Sequence, residues 1–293
     1  MNFQNISDAK EYVVQVTNKA RTLDEINTSL EYYQSMVDSA HSDESRIIWE
    51  SEVEKLKLWK NSDDFKSGSY PQGIDELILE VIEWRSVQAA FQEVETEKNL
   101  FKHSGFFAQW YLGSIYGVFT IIGKLISKDC RDNSLRKLWD DVSPIMLSDG
   151  ACTQEEIDYI NQEMNRNNGR FTNANSSVLR FRNKLIAHNE ANPEVRWDEV
   201  DIELSLLIRM WSLLVAWSSF GLFQPFRSND VAFMGLESCY QKSELALLKS
   251  SRGNYLDKVK KWSVSYAHSG EVDKGRGAFS TLSTKVTIRQ ELT

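Results

Sequence analysis

Apolar residues return every three or four positions through most of this chain, the spacing of helices that bury one face. Asp8–Lys19 is a short amphipathic segment of this kind. Thr22-Leu23-Asp24-Glu25 has the form of a capping box, so a second helix should open there and run to about Ala40. Ser42 or Asp43 starts a third, through Trp49 and Leu56 to about Lys60. Lys66–Gly73 reads KSGSYPQG, a turn or linker. Beyond it, Leu77, Ile78, Val81, Ile82, Trp84, Val87 and Phe91 keep helical spacing over Ile74–Asn99. Two more large helices are expected at Gly105–Ser127 and Val200–Phe223. The stretch from Lys128 to Asn168 is less regular, with short helices at Ser134–Asp140 and Thr153–Met164 joined through Pro144 and Gly150. Thr172–Ala187 is again helical, and Asn189–Pro193 breaks it.

After Pro225 the periodicity weakens. Glu244–Lys249 continues a helical pattern, whereas Trp262-Val264-Tyr266 and Val286-Ile288 alternate with polar residues and predict a small β-hairpin or an extended tail. The expected architecture is all-α: an N-terminal helical extension over 1–68, a four-helix bundle over 74–225, and a C-terminal extension over 226–293.

Phe106–Ile126 is nearly long enough to span a bilayer, and Gly113 and Gly117 make a small-xxx-small pair. Gln109 and Lys124 interrupt it, and basic residues do not mark one flank. A central bundle helix, packed on several sides, is the expected role, and no membrane partner is expected. Arg209 argues against a span in Leu204–Phe223 in the same way. Trp84, Trp110, Trp139, Trp197, Trp211 and Trp217 are expected in the core rather than as base-stacking platforms.

Within Thr172–Ala187, Val178, Leu179, Phe181, Leu185 and Ile186 form one apolar arc at roughly 100° per residue. Arg182 falls near the middle of that arc. A charge aimed at an apolar side needs a partner, a phosphate or a second subunit. His188 lies on the flank of the arc, and its side chain titrates near neutral pH. In an unbroken helix the two side chains point roughly 120° apart, so one chain makes half a site more easily than a whole one. Two readings stay open at this level. Arg182 pairs with a core carboxylate and His188 caps the helix, or the two serve a ligand.

Charge supports the second reading. The chain carries a net −8, yet no Asp or Glu occurs from Met164 to Asn189, where Arg166, Arg170, Arg180, Arg182 and Lys184 fall. A cationic island in an acidic protein suits phosphate, and Arg166, Arg170, Arg180 and Lys184 are the expected contacts to it. The acidic balance itself, with a pI near 5.2, excludes a protein that coats nucleic acid nonspecifically. Cys130, Cys152 and Cys239 are odd in number and far apart, and there is no Cys-x-x-Cys. Neither a metal centre nor a disulfide framework is expected, nor any cofactor. The N-terminal residues lack the basic and apolar regions of a signal peptide, which predicts a cytoplasmic protein with reduced thiols.

Arg182, Asn183 and His188 resemble the signature of the HEPN superfamily: an Arg, a polar residue directly after it, and a His four to six residues further on. Here five residues intervene and the polar one is Asn183. The phrase FRNKLIAHNE, the aromatic-rich helix at 105–127, and Asn133-Ser134-Leu135 with Leu138-Trp139 are most similar to the abortive-infection U-type branch. The resemblance covers roughly Ile74–Phe223, about half of the chain.

It implies a HEPN-like bundle and a metal-independent endoribonuclease of toxin or phage-defence type, acting at a homodimer interface. Arg182 would hold the scissile phosphate, Asn183 would orient that Arg or donate to phosphate, and His188 would act as general acid or base while the ribose 2′-OH attacks. RNA would leave with 2′,3′-cyclic phosphate and 5′-OH ends. An antitoxin or sensor protein would be a natural further partner. Some members carry a Tyr two residues after the His; Glu190 stands there in this chain. The alternative is an inactive HEPN-like module that binds RNA or protein.

Overall fold

The computed structural model describes residues 3–17, 22–68, 73–129, 131–165, 169–172, 174–187, 194, 196–218 and 226–264. Among these, every regular element is helical. The α-helices are α1 (Ile6–Thr17), α2 (Leu23–Asp38), α3 (Asp43–Asn61), α4 (Asp63–Ser67), α5 (Ile74–Glu93), α6 (Leu100–His103) and α7 (Gly105–Leu125), followed by α8 (Leu135–Ser148), α9 (Gln154–Asn165), α10 (Ser177–Phe181), α11 (Trp197–Ser218), α12 (Asn229–Ala232) and α13 (Lys242–Val264). A π-helical segment, Arg182–Ala187, continues α10 without a break.

Local chemistry sets the helix starts. The Thr22 hydroxyl accepts from the Glu25 amide at 3.1 Å, and the Glu25 carboxylate accepts from the Thr22 amide at 2.9 Å. That is the capping box expected from the sequence, and it satisfies two donors that a helix N-terminus leaves open. Ser42, Ser62, Asn99, Ser134 and Ser228 cap α3, α4, α6, α8 and α12 by the same side-chain-to-amide bond.

α5, α7, α11 and α13 are the long helices of the bundle. α13 lies against α5 and α11, and α5 also packs on α7. Their apolar faces meet in one core, from Ile74 and Ile78 through Phe119 and Ile122 to Leu207, Trp211 and Val259. Trp139 and Trp211 are wholly buried in it, as expected, while Trp84, Trp110, Trp197 and Trp217 are half-buried. Polar bonds tie the helices together inside this core. Arg85 of α5 binds Asp201 of α11 through two bonds, at 2.8 and 3.1 Å, and the Tyr255 hydroxyl of α13 donates to the same carboxylate at 2.8 Å. Burial and the Asp201 charge hold the Tyr255 hydroxyl well above the ordinary range for a phenol.

Four expectations change. Trp262 and Val264 lie in the last turn of α13, not in a strand. The helix buries Leu256, Val259, Ser263 and Val264, and because polar Ser263 faces inward between them, the stretch reads locally as alternation. Tyr266, Val286 and Ile288 lie outside the described residues. The C-terminal boundary at 225/226 also moves, because α13 contributes Tyr255, Leu256 and Val259 to the main core. At the other end, α1 places Val13 in that core and meets α8 through Tyr12 and Asp141 at 3.2 Å. α2, α3 and α4 gather around a small cluster of their own, built on Ile26 and Leu56. Finally, α8 runs on through Pro144 to Ser148 where the sequence suggested a break. Packing of Val142 and Met146 offsets the hydrogen bond that Pro144 cannot give to Asp140.

The expected central helix is two-sided only in part. The second half of α7 buries Val118, Phe119, Ile121, Ile122 and Leu125. Its first half leaves Phe106 75% and Leu112 45% exposed, with Tyr116 beside them. Among the described residues it is the one helix long and apolar enough to cross a membrane.

Candidate functional site

The motif segment begins where a turn brings the chain back over the end of α9. Gly169 makes this turn possible: a Cβ there would lie 2.5 Å from the carbonyl oxygens of both Gln162 and Glu163. Ser176 then caps α10, accepting from the Leu179 amide at 3.0 Å.

α11 supplies the anchor for this helix start. Glu203 is buried, and its carboxylate accepts from the Ser176 hydroxyl at 2.8 Å and from the Ser177 amide at 2.9 Å. Glu199, one turn earlier, accepts from the Ser177 hydroxyl. A carboxylate at a helix N-terminus meets unpaired amides and the positive end of the helix dipole. Burial still dominates, and it pushes the Glu203 carboxyl up to about 7 against the pull of Ser176, the Ser177 and Val178 amides and the Arg170 charge.

α7 supplies the floor. Phe119 stacks on Phe181 with ring centroids 4.5 Å apart, and Trp197 of α11 meets Phe119 edge-on at 6.0 Å. Arg182 follows Phe181 directly. Its stem crosses α7 at Gly123, where a Cβ would sit 2.6 Å from Arg182 Cδ and 2.9 Å from Nε. Arg182 and Asn183 are half-buried and Lys184 is exposed. Arg182 makes no hydrogen bond or ion pair with any described residue. Among the described residues, no core carboxylate pairs with Arg182.

The other expected cations divide. Arg170 pairs with Glu163 at 3.2 Å, and Arg180 lies 3.8 Å from Glu199 while donating to the Ser177 hydroxyl at 3.3 Å. The island that is free of acids in sequence thus acquires carboxylates from α9 and α11 on folding. Among the described residues, no carboxylate neutralises Arg182 or Lys184 in this way. Arg166 and His188 lie outside the described residues, as does Glu190.

From Arg182 to Ala187 the helix is wound as a π-helix, with i→i+5 bonding in place of i→i+4. The 120° separation inferred for an unbroken α-helix does not apply to this segment. Such winding is rare and recurs at functional sites. Chemically, the arrangement offers one half-buried guanidinium fork laid across α7 at Gly123. It suits a planar or tetrahedral oxyanion, which two N–H groups can grip together. Among the described residues, no three His, Cys, Asp or Glu side chains gather as a metal site.

Sequence reasoning did not single out Glu203, Glu199 or Gly123. Glu203 carried a signal: it is the acid beside Leu204, Leu206 and Leu207, on the buried side of an apolar helix. Gly123 carried none, because its partner lies on another helix. No protein-family model matches the chain, and neither does any curated protein or solved structure.

Proposed function

We propose that this protein is a metal-independent endoribonuclease of the toxin or abortive-infection type, with Arg182, Asn183 and His188 at its site. The supporting observation is Arg182 itself: a half-buried guanidinium, held by its stem, with no carboxylate among the described residues. Such a group can take up an anion, and the RNA phosphate is the anion that the HEPN-like motif would address.

Arg182 would grip the non-bridging oxygens of the scissile phosphate and stabilise the charge that grows there. Asn183, beside it, would orient the fork or donate to the phosphate. His188 would take the proton of the attacking 2′-OH or supply one to the departing 5′-oxygen. The attack forms the 2′-O–P bond and breaks the P–O5′ bond, leaving a 2′,3′-cyclic phosphate and a 5′-OH. A homodimer with the two motif segments facing one another would bring two copies of each group to one RNA. Lys184 would touch the backbone, and Arg170 and Arg180 would first have to leave Glu163 and Glu199.

A second reading, a binding module without catalysis, draws on the exposed apolar half of α7, a surface suited to another protein. One assay separates the two. RNA incubated with wild type in EDTA should be cut to cyclic-phosphate ends, and folded His188→Ala should cut at least about a hundredfold more slowly. Equal cleavage by the two proteins, or none by wild type, removes the nuclease assignment.

A further inference from the structure

We infer that Gly123 is a positioning residue: by lacking a side chain, it gives the Arg182 stem a groove across α7 that fixes where the guanidinium points. The inference rests on the reading of Arg182 as the anion-binding group. Its geometric part stands without that reading.

Two consecutive turns of α7 receive two consecutive residues of the motif segment. Phe119 takes the ring of Phe181, and four residues later Gly123 takes the stem of Arg182. A carbon 2.6 Å from Cδ is far inside the 3.5–4.0 Å of ordinary carbon contact, so a methyl group and the observed stem cannot coexist. The other glycines within α7 do not behave this way. A Cβ on Gly113 would meet nothing within 4 Å, and one on Gly117 would meet Trp84 at an ordinary 3.8 Å. Gly123 is the glycine of this helix that is closed to a side chain, and Arg182 closes it.

Glycine inside a helix is unfavourable relative to alanine. Alanine at 123 should thus help the helix while displacing Arg182. The clash is with a flexible side chain, so the helix stays and the guanidinium moves. An arginine lifted off its floor keeps its charge and loses its direction. Direction is what a two-pronged grip on phosphate needs.

The test uses four full-length proteins: wild type, Gly123→Ala, Arg182→Ala and the double variant. Thermal unfolding should show Gly123→Ala raising Tm more in the Arg182→Ala background than in wild type, because only Arg182 opposes the new methyl group. Equal changes in both backgrounds overturn the inference. The Arg182 Nε–H resonance, assigned by its loss in Arg182→Ala, should shift in Gly123→Ala; an unmoved resonance overturns the inference as well. RNA cleavage then reads the consequence. Gly123→Ala should lose at least about tenfold in kcat/KM with Tm no lower than wild type. Cleavage at the wild-type rate would show that the contact does not position the guanidinium. If wild type cuts no RNA, the nuclease reading fails, while the unfolding cycle and the resonance still decide the Gly123 contact.

Discussion

Arg209 and Arg182 are both arginines set into helices among apolar neighbours, and the fold surrounds them in opposite ways. Arg209, in the middle of α11, is wholly buried and fully paired. Glu156 of α9 takes its Nε and Nη2 at 2.6 and 3.1 Å, and the Ser263 carbonyl of α13 takes Nη1 at 2.8 Å. Arg85 has Asp201, and Arg252 has Glu83 at 2.7 Å with the Asn229 side chain and the Arg227 carbonyl. Arg182 has a floor of glycine and no acid among the described residues. Removing a guanidinium from water costs several kcal/mol unless charge and hydrogen bonds replace the water. These three of the buried arginines meet that cost with carboxylates inside the chain. Arg182 avoids it by staying half-exposed, and donors that no described residue uses are what a ligand can take up.

The sharpest way to break this comparison is to truncate on the core side. Arg209→Ala leaves Glu156 as a buried, unpaired carboxylate and should destabilise the protein by about 3–5 kcal/mol in urea unfolding. A loss below about 1 kcal/mol would mean that the core pair is not a structural tie between α9, α11 and α13.

The next effect is smaller and depends on pH. Glu203 has its carboxyl raised by burial from an ordinary 4.5 to about 7. A raised folded-state value means that the stabilising contribution is complete below about 4.5 and is lost as pH rises through about 7. Asp75, which accepts from the Trp211 indole at 2.5 Å, is raised from 3.8 to about 6 by burial and acts in the same direction at lower pH. Glu203→Gln stays neutral throughout. Its unfolding free energy should therefore gain on that of wild type between about pH 5 and 8, by up to roughly 3 kcal/mol. A difference that does not change with pH would mean that Glu203 is ionised in the fold at every pH tested.

The same comparison explains how much of the molecule the sequence exposes. Periodicity and caps reveal elements whose causes are local: the Thr22–Glu25 box, the Ser42 cap, the spacing of Leu77, Ile78 and Val81. The all-α class follows from them. Arg182 stands out in sequence because a charge interrupts an apolar arc, and no acid among the described residues explains it away. What stayed hidden depends on pairing across the chain. Glu203 and Glu199 approach Ser176 and Ser177 only once α11 packs, and they turn an acid-free stretch into a partly neutralised one. α13 was divided between helix and strand because its Arg252 and Ser263 are polar residues facing inward, matched to Glu83 and Arg209 that no local pattern can reveal.

Arg182→Ala tests the central claim most directly, with stability and RNA cleavage measured on one preparation. An arginine without a partner among the described residues should cost little to remove, within about 0.5 kcal/mol of wild type. The same substitution should slow metal-independent RNA cleavage by about a hundredfold or more, the loss expected when a donor to developing charge is deleted. A variant destabilised by several kcal/mol would place Arg182 with Arg85, Arg209 and Arg252 as a structural arginine. Unchanged stability with unchanged cleavage would leave Arg182 without the role proposed for it.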